Sequence, residues 1–155
     1  MNRSFACCLL AAVLVLSSNF ADAAERIYPD VSAAKADIAA ALKDAAATHR
    51  RVIVDFGGDW CPDCKVLDVN FHEPTNAKLL QRHYVLVHVN VGDKGIKENF
   101  DVAERYGIPL RKGVPALAVL EGDGRLVYSQ KNGEFESMRH MDPKSVNEFL
   151  QRWAR

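Results

Sequence analysis

The 155-residue chain carries 20 Lys and Arg against 20 Asp and Glu, so no net charge draws it to nucleic acid or to an anionic membrane surface. Hydrophobic residues make up 48 %, with only 9 Gly and 6 Pro, which excludes a disordered or low-complexity chain and suits one domain with its own core.

The first 23 residues read apart from the rest. Arg3 gives a positive start, Phe5 to Leu16 is a run of 12 apolar residues, and Ala21-Asp22-Ala23 sets small side chains at the positions a signal peptidase inspects. Such a run falls short of the roughly 20 residues that span a bilayer. The expectation is a secretory leader, residues 1–23, cleaved after Ala23, no stable membrane insertion afterwards, and a periplasmic or secreted product. Cys7 and Cys8 lie inside the apolar run and leave with it. Residues 24–155 then hold 19 basic and 19 acidic side chains and one pair of cysteines, Cys61 and Cys64. A single pair three apart is not the framework that staples small secreted domains, so it reads as chemical more than structural.

After a lead-in from Glu25 to Asp30, the Ala-rich stretch Val31–Thr48 places Val31, Ala34, Ile38, Leu42 and Ala45 on one stripe, which predicts an amphipathic helix. The β-branched run Arg51–Phe56 predicts a buried strand that stops at Gly57-Gly58. From Cys61 to about His83 the pattern is helical, but Glu73-Pro74 should divide it into two pieces. Tyr84–Val91 predicts the next strand, Gly92–Lys97 a loop, and Glu98–Tyr106 a short helix closed by Gly107. Pro115–Leu120 and Arg125–Ser129 flank Glu121-Gly-Asp-Gly124, a hairpin signal. A final helix over Pro143–Trp153 starts from an Asp142 cap with proline in its first turn. The order calls for an α/β fold: a central mixed β-sheet flanked by helices on both faces.

In Trp60-Cys61-Pro62-Asp63-Cys64, Pro62 suits the first helical position, which puts Cys61 at the N-cap and Cys64 one turn along the same face. Residues so spaced lie about 5–6 Å apart, a separation that a disulfide tolerates. At the N-cap the sulfur of Cys61 faces free amide N–H groups and the positive end of the helix dipole, which favour its thiolate. Cys61 is therefore expected to be the exposed nucleophile and Cys64 the resolving thiol beneath it. A static disulfide and half of a zinc site are the competing readings. Zinc needs four ligands, and His83 and His88 would face opposite sides of one strand. Haem attachment would need a histidine after Cys64, where Lys65 stands. No metal or other cofactor is assigned. Met138, His140 and Met141 make a small soft-ligand cluster, but flexible Met and His also occur as ordinary packing.

Val54-Asp55-Phe56 followed by the Cys-x-x-Cys segment, with a later Gly113-Val114-Pro115, resembles the thioredoxin superfamily from about Arg51 to Trp153. The resemblance implies a thioredoxin fold within a domain over residues 24–155, a cis bond between Val114 and Pro115, and a substrate chain pairing with the backbone of Val114. Trp60, Gly113, Val114 and Pro115 become the substrate-binding candidates. It also lends Asp55 the part of a buried carboxylate that exchanges a proton with Cys64, with His88 in the place of a family lysine beside it. Two departures stand out. The cysteines bracket Pro62-Asp63 where thioredoxin has Gly-Pro, so Pro62, Asp63 and His88 are the candidates for tuning the redox poise. Extra residues also occur near Asp93–Lys97 and Pro109–Lys112, where Arg111 and Lys112 make either a basic rim or a solvated loop.

The function implied is that of an exported thiol–disulfide oxidoreductase cycling between a Cys61/Cys64 dithiol and disulfide, reducing protein disulfides as a monomer and recharged by an upstream thiol donor. Val114 before the proline and the buried Asp55 resemble the reducing branch. The ending Trp153-Ala-Arg155 carries no ER-retention signal. The competing class is a non-catalytic binding or metallochaperone module on the same fold.

Overall fold

A computed structural model describes residues 26–155; the leader expected over residues 1–23 lies outside the described residues. Strand β1 (Arg51–Gly57) is central because its β-branched run is apolar on both faces, and Val52, Ile53, Val54 and Phe56 are all fully buried. It pairs in parallel with β2 (Tyr84–Asn90) on one side and antiparallel with β3 (Ala116–Leu120) on the other; β4 (Leu126–Ser129) completes the order β2-β1-β3-β4. The parallel pairing requires a crossover between β1 and β2, supplied by α2 (Pro62–His72) and α3 (Pro74–His83).

Strand alternation divides the core into two layers. Val52, Val54 and Phe56 of β1, with Ala116, Ala118 and Leu120 of β3, meet α1 (Ala34–Thr48) and α4 (Phe100–Arg105). Ile53, Leu117 and Val119 meet Leu67 and Phe71 of α2 and Val146, Phe149 and Leu150 of α5 (Lys144–Arg152) on the other side. The mixed sheet covered on both faces is the arrangement expected from the order of elements.

Element ends follow local chemistry. A 3-10 turn, Val31–Ala33, precedes α1 and is capped by the Asp30 side chain, which accepts the Ser32 N–H. Glu73, forced to extended backbone (ψ 136°) by the proline after it, separates α2 from α3. Helix α4 is shorter than the predicted Glu98–Tyr106 because Asn99 takes a left-handed φ of 57° and its amide donates to the carbonyls of Val31 and Asn90 (2.9 and 2.8 Å). Tertiary hydrogen bonds override helical propensity there. Helix α5 starts at Lys144, one residue past Pro143, with the Asp142 carboxylate accepting the Lys144 N–H.

One buried ion pair locks the far end of the sheet. Arg51 at the start of β1 donates from Nε (3.1 Å) and Nη2 (2.7 Å) to Oε1 of Glu121, just past β3, and from Nη1 to the carbonyl of Trp153 beyond α5. The Glu121 side chain is 8 % exposed, and Arg125 and Arg155 approach it from solvent. The hydrogen bond from Arg51 holds its carboxyl below the ordinary range; burial opposes this, and the arginine charges reinforce it. A carboxylate with a lowered folded-state pKa stabilises the fold above its unfolded value of about 4.3, and that contribution disappears as pH falls through the folded value. Glu121→Gln is expected to cost about 2 kcal/mol at neutral pH, less than the roughly 3–5 kcal/mol of a fully enclosed pair because solvent reaches the flanking arginines. Urea unfolding of parent and variant should show the gap closing once the pH drops below the carboxylate range. A gap that persists there would assign the loss to packing instead of charge.

Candidate active site

Strand β1 delivers the chain to Gly57-Gly58 at its carboxyl end, where it turns into α2. Cys61 holds extended backbone (φ −89°, ψ 114°) as the N-cap, Pro62 occupies the first helical position, and the Cys64 N–H donates to Cys61 Sγ at 3.2 Å. The two cysteines are joined as a disulfide with Cα atoms 5.3 Å apart. Cys64 is fully buried. Cys61 is only 4 % exposed, so in the oxidised form it is not the exposed sulfur that the sequence suggests. Its lid is the backbone of Val114, whose carbonyl oxygen lies 3.6 Å from Sγ. Cys61 nevertheless remains the outer of the two sulfurs. Trp60 stands beside it, 37 % exposed, with its indole N–H donating to the carbonyl of Gly92 at 2.6 Å.

The bond between Val114 and Pro115 is cis, as the resemblance implies. Behind it, the fully buried side chain of Gln130 accepts the Leu117 N–H (3.2 Å) and donates to the carbonyl of Pro115 (3.1 Å), fixing the backbone that faces Cys61. No sequence signal singled out Gln130; a glutamine that satisfies backbone groups looks like any loop residue. Gly113 adopts φ 123°, a left-handed backbone that favours glycine, and a Cβ there would push the exposed Glu136 side chain aside. Arg111 lies over the Phe100 ring, 5.5 Å from its centroid, and Lys112 donates to the carbonyl of Lys131. Both cations therefore have intramolecular partners.

Two residues before Gly57 on β1, Asp55 is completely buried and lies in register with His88 of β2. Its Oδ2 accepts the Tyr28 hydroxyl at 2.7 Å and lies 2.9 Å from His88 Nδ1. Its Oδ1 has no hydrogen-bond donor among the described residues. Burial, then the charge and hydrogen bond of Asp55, push the Tyr28 phenol well above its ordinary range, so it stays a donor. Burial works against protonation of His88, but the hydrogen bond and charge of Asp55, with Asp68 and Asp59 adding, outweigh it and raise its pKa. The other edge of His88 opens on a cleft lined by Arg26, Ile27, Asp68 and His72. A buried acid is thus linked through one imidazole to the surface.

Tyr28 was not visible as a site residue in the sequence. It sits far from the cysteines along the chain, and its place depends on the lead-in being held by Asp59, whose Oδ1 accepts the Ile27 N–H, and by Asn90, which donates to the carbonyl of Pro29. Gly57 makes room for it. A Cβ on Gly57 would strike the Tyr28 hydroxyl and lie 2.9 Å from Cys64 Sγ, so the missing side chain lets phenol and buried sulfur approach the same point.

Asp63, a candidate from the sequence for tuning the redox poise, is not a free carboxylate. It is only 8 % exposed, and its oxygens accept three hydrogen bonds from Arg139, one from the backbone and two from the guanidinium. The Arg139 hydrogen bonds hold its carboxyl below the usual range against the opposing effect of burial. Met138 is buried and Met141 half-buried against the α5 layer, so both serve as packing, and His140 is exposed. Among the described residues no cluster of three or more His, Cys, Asp or Glu side chains is placed to hold a metal ion.

Residues 33–122 match a family model described as thioredoxin-like. The chain is 31 % identical over 91 residues to a thioredoxin of Buchnera aphidicola subsp. Schizaphis graminum, an alignment that covers 59 % of this chain and 73 % of that protein. It is 28 % identical over 88 residues to a protein disulfide-isomerase of Ricinus communis, covering 57 % of this chain and 17 % of the longer protein. The chain thus spans under a fifth of that plant relative. Among solved structures, the crystal structure of a disulphide isomerase from Xylella fastidiosa Temecula1 superposes with a TM-score of 0.77 at 29 % identity, covering 84 % of this chain and 98 % of that one. The solution structure of a thioredoxin from Thermus thermophilus gives 0.52 at 23 % identity, covering 73 % and 80 %, and shares the fold.

Proposed function

The chain belongs to the thioredoxin-like family, and we propose that it is a thiol–disulfide oxidoreductase that works in the reducing direction on protein disulfides. The observation that carries this reading is the N-cap position of Cys61 directly beside the Val114 carbonyl, together with a buried Asp55 that has one carboxylate oxygen without a donor among the described residues. The Cys61 thiolate attacks one sulfur of the substrate disulfide; the substrate bond breaks, a Cys61–substrate disulfide forms, and the departing substrate thiolate takes a proton. Asp55 accepts the proton of Cys64, whose sulfur then attacks Cys61, re-forming the Cys61–Cys64 bond and releasing the second substrate thiolate. Two electrons pass from the dithiol to the substrate, and an external thiol donor restores the dithiol. An extended substrate segment is held against Gly113, Val114 and Pro115, with Trp60 beside it. His88 carries the proton of Asp55 to the cleft at its outer edge.

Support for reduction comes from the apolar Val114 before the cis proline and from the buried Asp55. The Xylella neighbour, described as a disulphide isomerase, favours a second reading in which the same attack rearranges disulfides. The deciding experiment incubates the reduced protein with a disulfide-bonded model protein and with a scrambled one, with and without excess thiol donor. Release of free thiols from the first, sustained by the donor, is the expected result; recovery of the native pairing of the second without net loss of disulfides would overturn the reducing assignment. We also propose that the protein works in an exported compartment, on the strength of the leader pattern read over residues 1–23. Protein recovered from the exported fraction should have the intact mass of residues 24–155, and a mass that retains residues 1–23 would replace the cleaved product with a membrane-tethered one.

A further inference from the structure

The second residue of α2 is an aspartate, two residues on from the reactive Cys61 and in the same first turn, an arrangement that should make the Cys61 thiolate costly. Asp63 is not left free, however. The 3-10 turn Met138–His140 lies against the first turn of α2, pinned by Met138 in the layer that holds Phe135 and Phe149. From that turn Arg139 donates its backbone N–H (2.9 Å) and Nε (3.2 Å) to Asp63 Oδ1 and its Nη2 to Oδ2 (3.1 Å). Such a planar fork fixes direction as well as charge, and a lysine cannot reproduce it. The residues that supply it belong to the segment between β4 and α5, which has no part in the Cys-x-x-Cys motif and lies 76 positions from Asp63.

We propose that Arg139 is a positioning residue of the redox couple: its fork turns the Asp63 carboxylate onto the Met138–His140 turn and cancels its charge, so that the Cys61 thiolate meets the N-terminus of α2 without an adjacent free anion. This rests on the reading of Cys61 as the attacking sulfur. The lowered pKa of Asp63, caused first by the Arg139 hydrogen bond and reinforced by His140, agrees with a carboxylate that stays ionised while paired. The segment from Lys131 to Met141 thereby sets the poise of a motif to which it is not adjacent in sequence.

The consequences have opposite signs at the two partners. Arg139→Gln unmasks the Asp63 anion, which disfavours the thiolate and weakens the dithiol state; the equilibrium constant against glutathione should move roughly three- to tenfold toward the disulfide, the upper end corresponding to about 30 mV for a two-electron couple. Asp63→Asn leaves the Arg139 cation alone near Cys61 and should move the constant by a similar factor toward the dithiol. The double variant should return close to the parent, and Arg139→Lys, which keeps the charge without the fork, should fall between parent and Arg139→Gln.

The test equilibrates the four variants and the parent with glutathione at fixed pH and low salt. The pH dependence of Cys61 alkylation gives the thiol pKa of each reduced form. Opposite shifts in the single variants with recovery in the double variant support the proposal. Unchanged constants and thiol pKa in Arg139→Gln and Asp63→Asn, or equal shifts in Arg139→Lys and Arg139→Gln, would make the pair a tether only and overturn it. Should Arg139→Gln fail to fold, Asp63→Asn and Arg139→Lys carry the same decision. Because glutathione equilibrium reads the couple itself, these shifts in the variants alongside a parent that releases no thiols from a protein disulfide would sink the reductase reading and leave this one standing.

Discussion

Cys61→Ser is expected to lose disulfide turnover by more than about 10³-fold, because a serine hydroxyl is not ionised near neutral pH, whereas a few per cent of an ordinary thiol is and the N-cap increases that fraction. Cys64→Ser should behave differently. It keeps the attacking sulfur but has nothing to break the Cys61–substrate bond, so a covalent complex accumulates that a reducing agent releases. The assignment follows from the order of burial: Cys64 is sealed under the first turn of α2, while Cys61, although only 4 % exposed, is the sulfur that the cover formed by Val114 leaves on the outside. Non-reducing electrophoresis after mixing each variant with a disulfide substrate separates the two behaviours. A trapped complex in Cys61→Ser and none in Cys64→Ser would reverse the roles.

Asp55→Asn should slow decay of the mixed disulfide by on the order of 10²-fold, the lower end of what a positioned general base contributes, with little change in the initial attack. Asparagine keeps the shape and can accept the Tyr28 hydroxyl, but it does not take up the proton that Cys64 must lose. Stopped-flow measurement of both phases checks this; equal decay rates would reduce Asp55 to a structural part. Stability gives an independent control. The raised pKa of His88 depends on Asp55, so the pair stabilises the parent fully below the unfolded imidazole value of about 6.5, and this contribution is lost as pH rises through the raised folded value. Above that window the variant should be no less stable than the parent, which keeps a buried carboxylate oxygen without a donor among the described residues.

The amino-acid sequence by itself determined the elements that depend on neighbours along the chain. The β-branched run of β1, the proline that divides α2 from α3, the glycine-bearing turn between β3 and β4 and the cap at Cys61 are all short-range features, and each appears where it was expected. Gly113-Val114-Pro115 was legible too, because the family resemblance attaches it to the cysteine pair. The shortened α4 was not legible, since Asn99 answers to carbonyls on Val31 and Asn90 more than to its helix. Three parts of the site also required the folded chain. Tyr28 reaches Asp55 across 27 positions, Gln130 closes the backbone behind Pro115, and Arg139 takes the charge of Asp63 out of play. That last pairing has no signal along the chain, so in the sequence Asp63 stands as a tuning candidate with no partner for its charge. The physical reason is the same in all three: hydrogen bonding and charge act through space over a few ångströms, so a motif states which groups can react, and only the packing of distant segments decides which charges and protons those groups encounter.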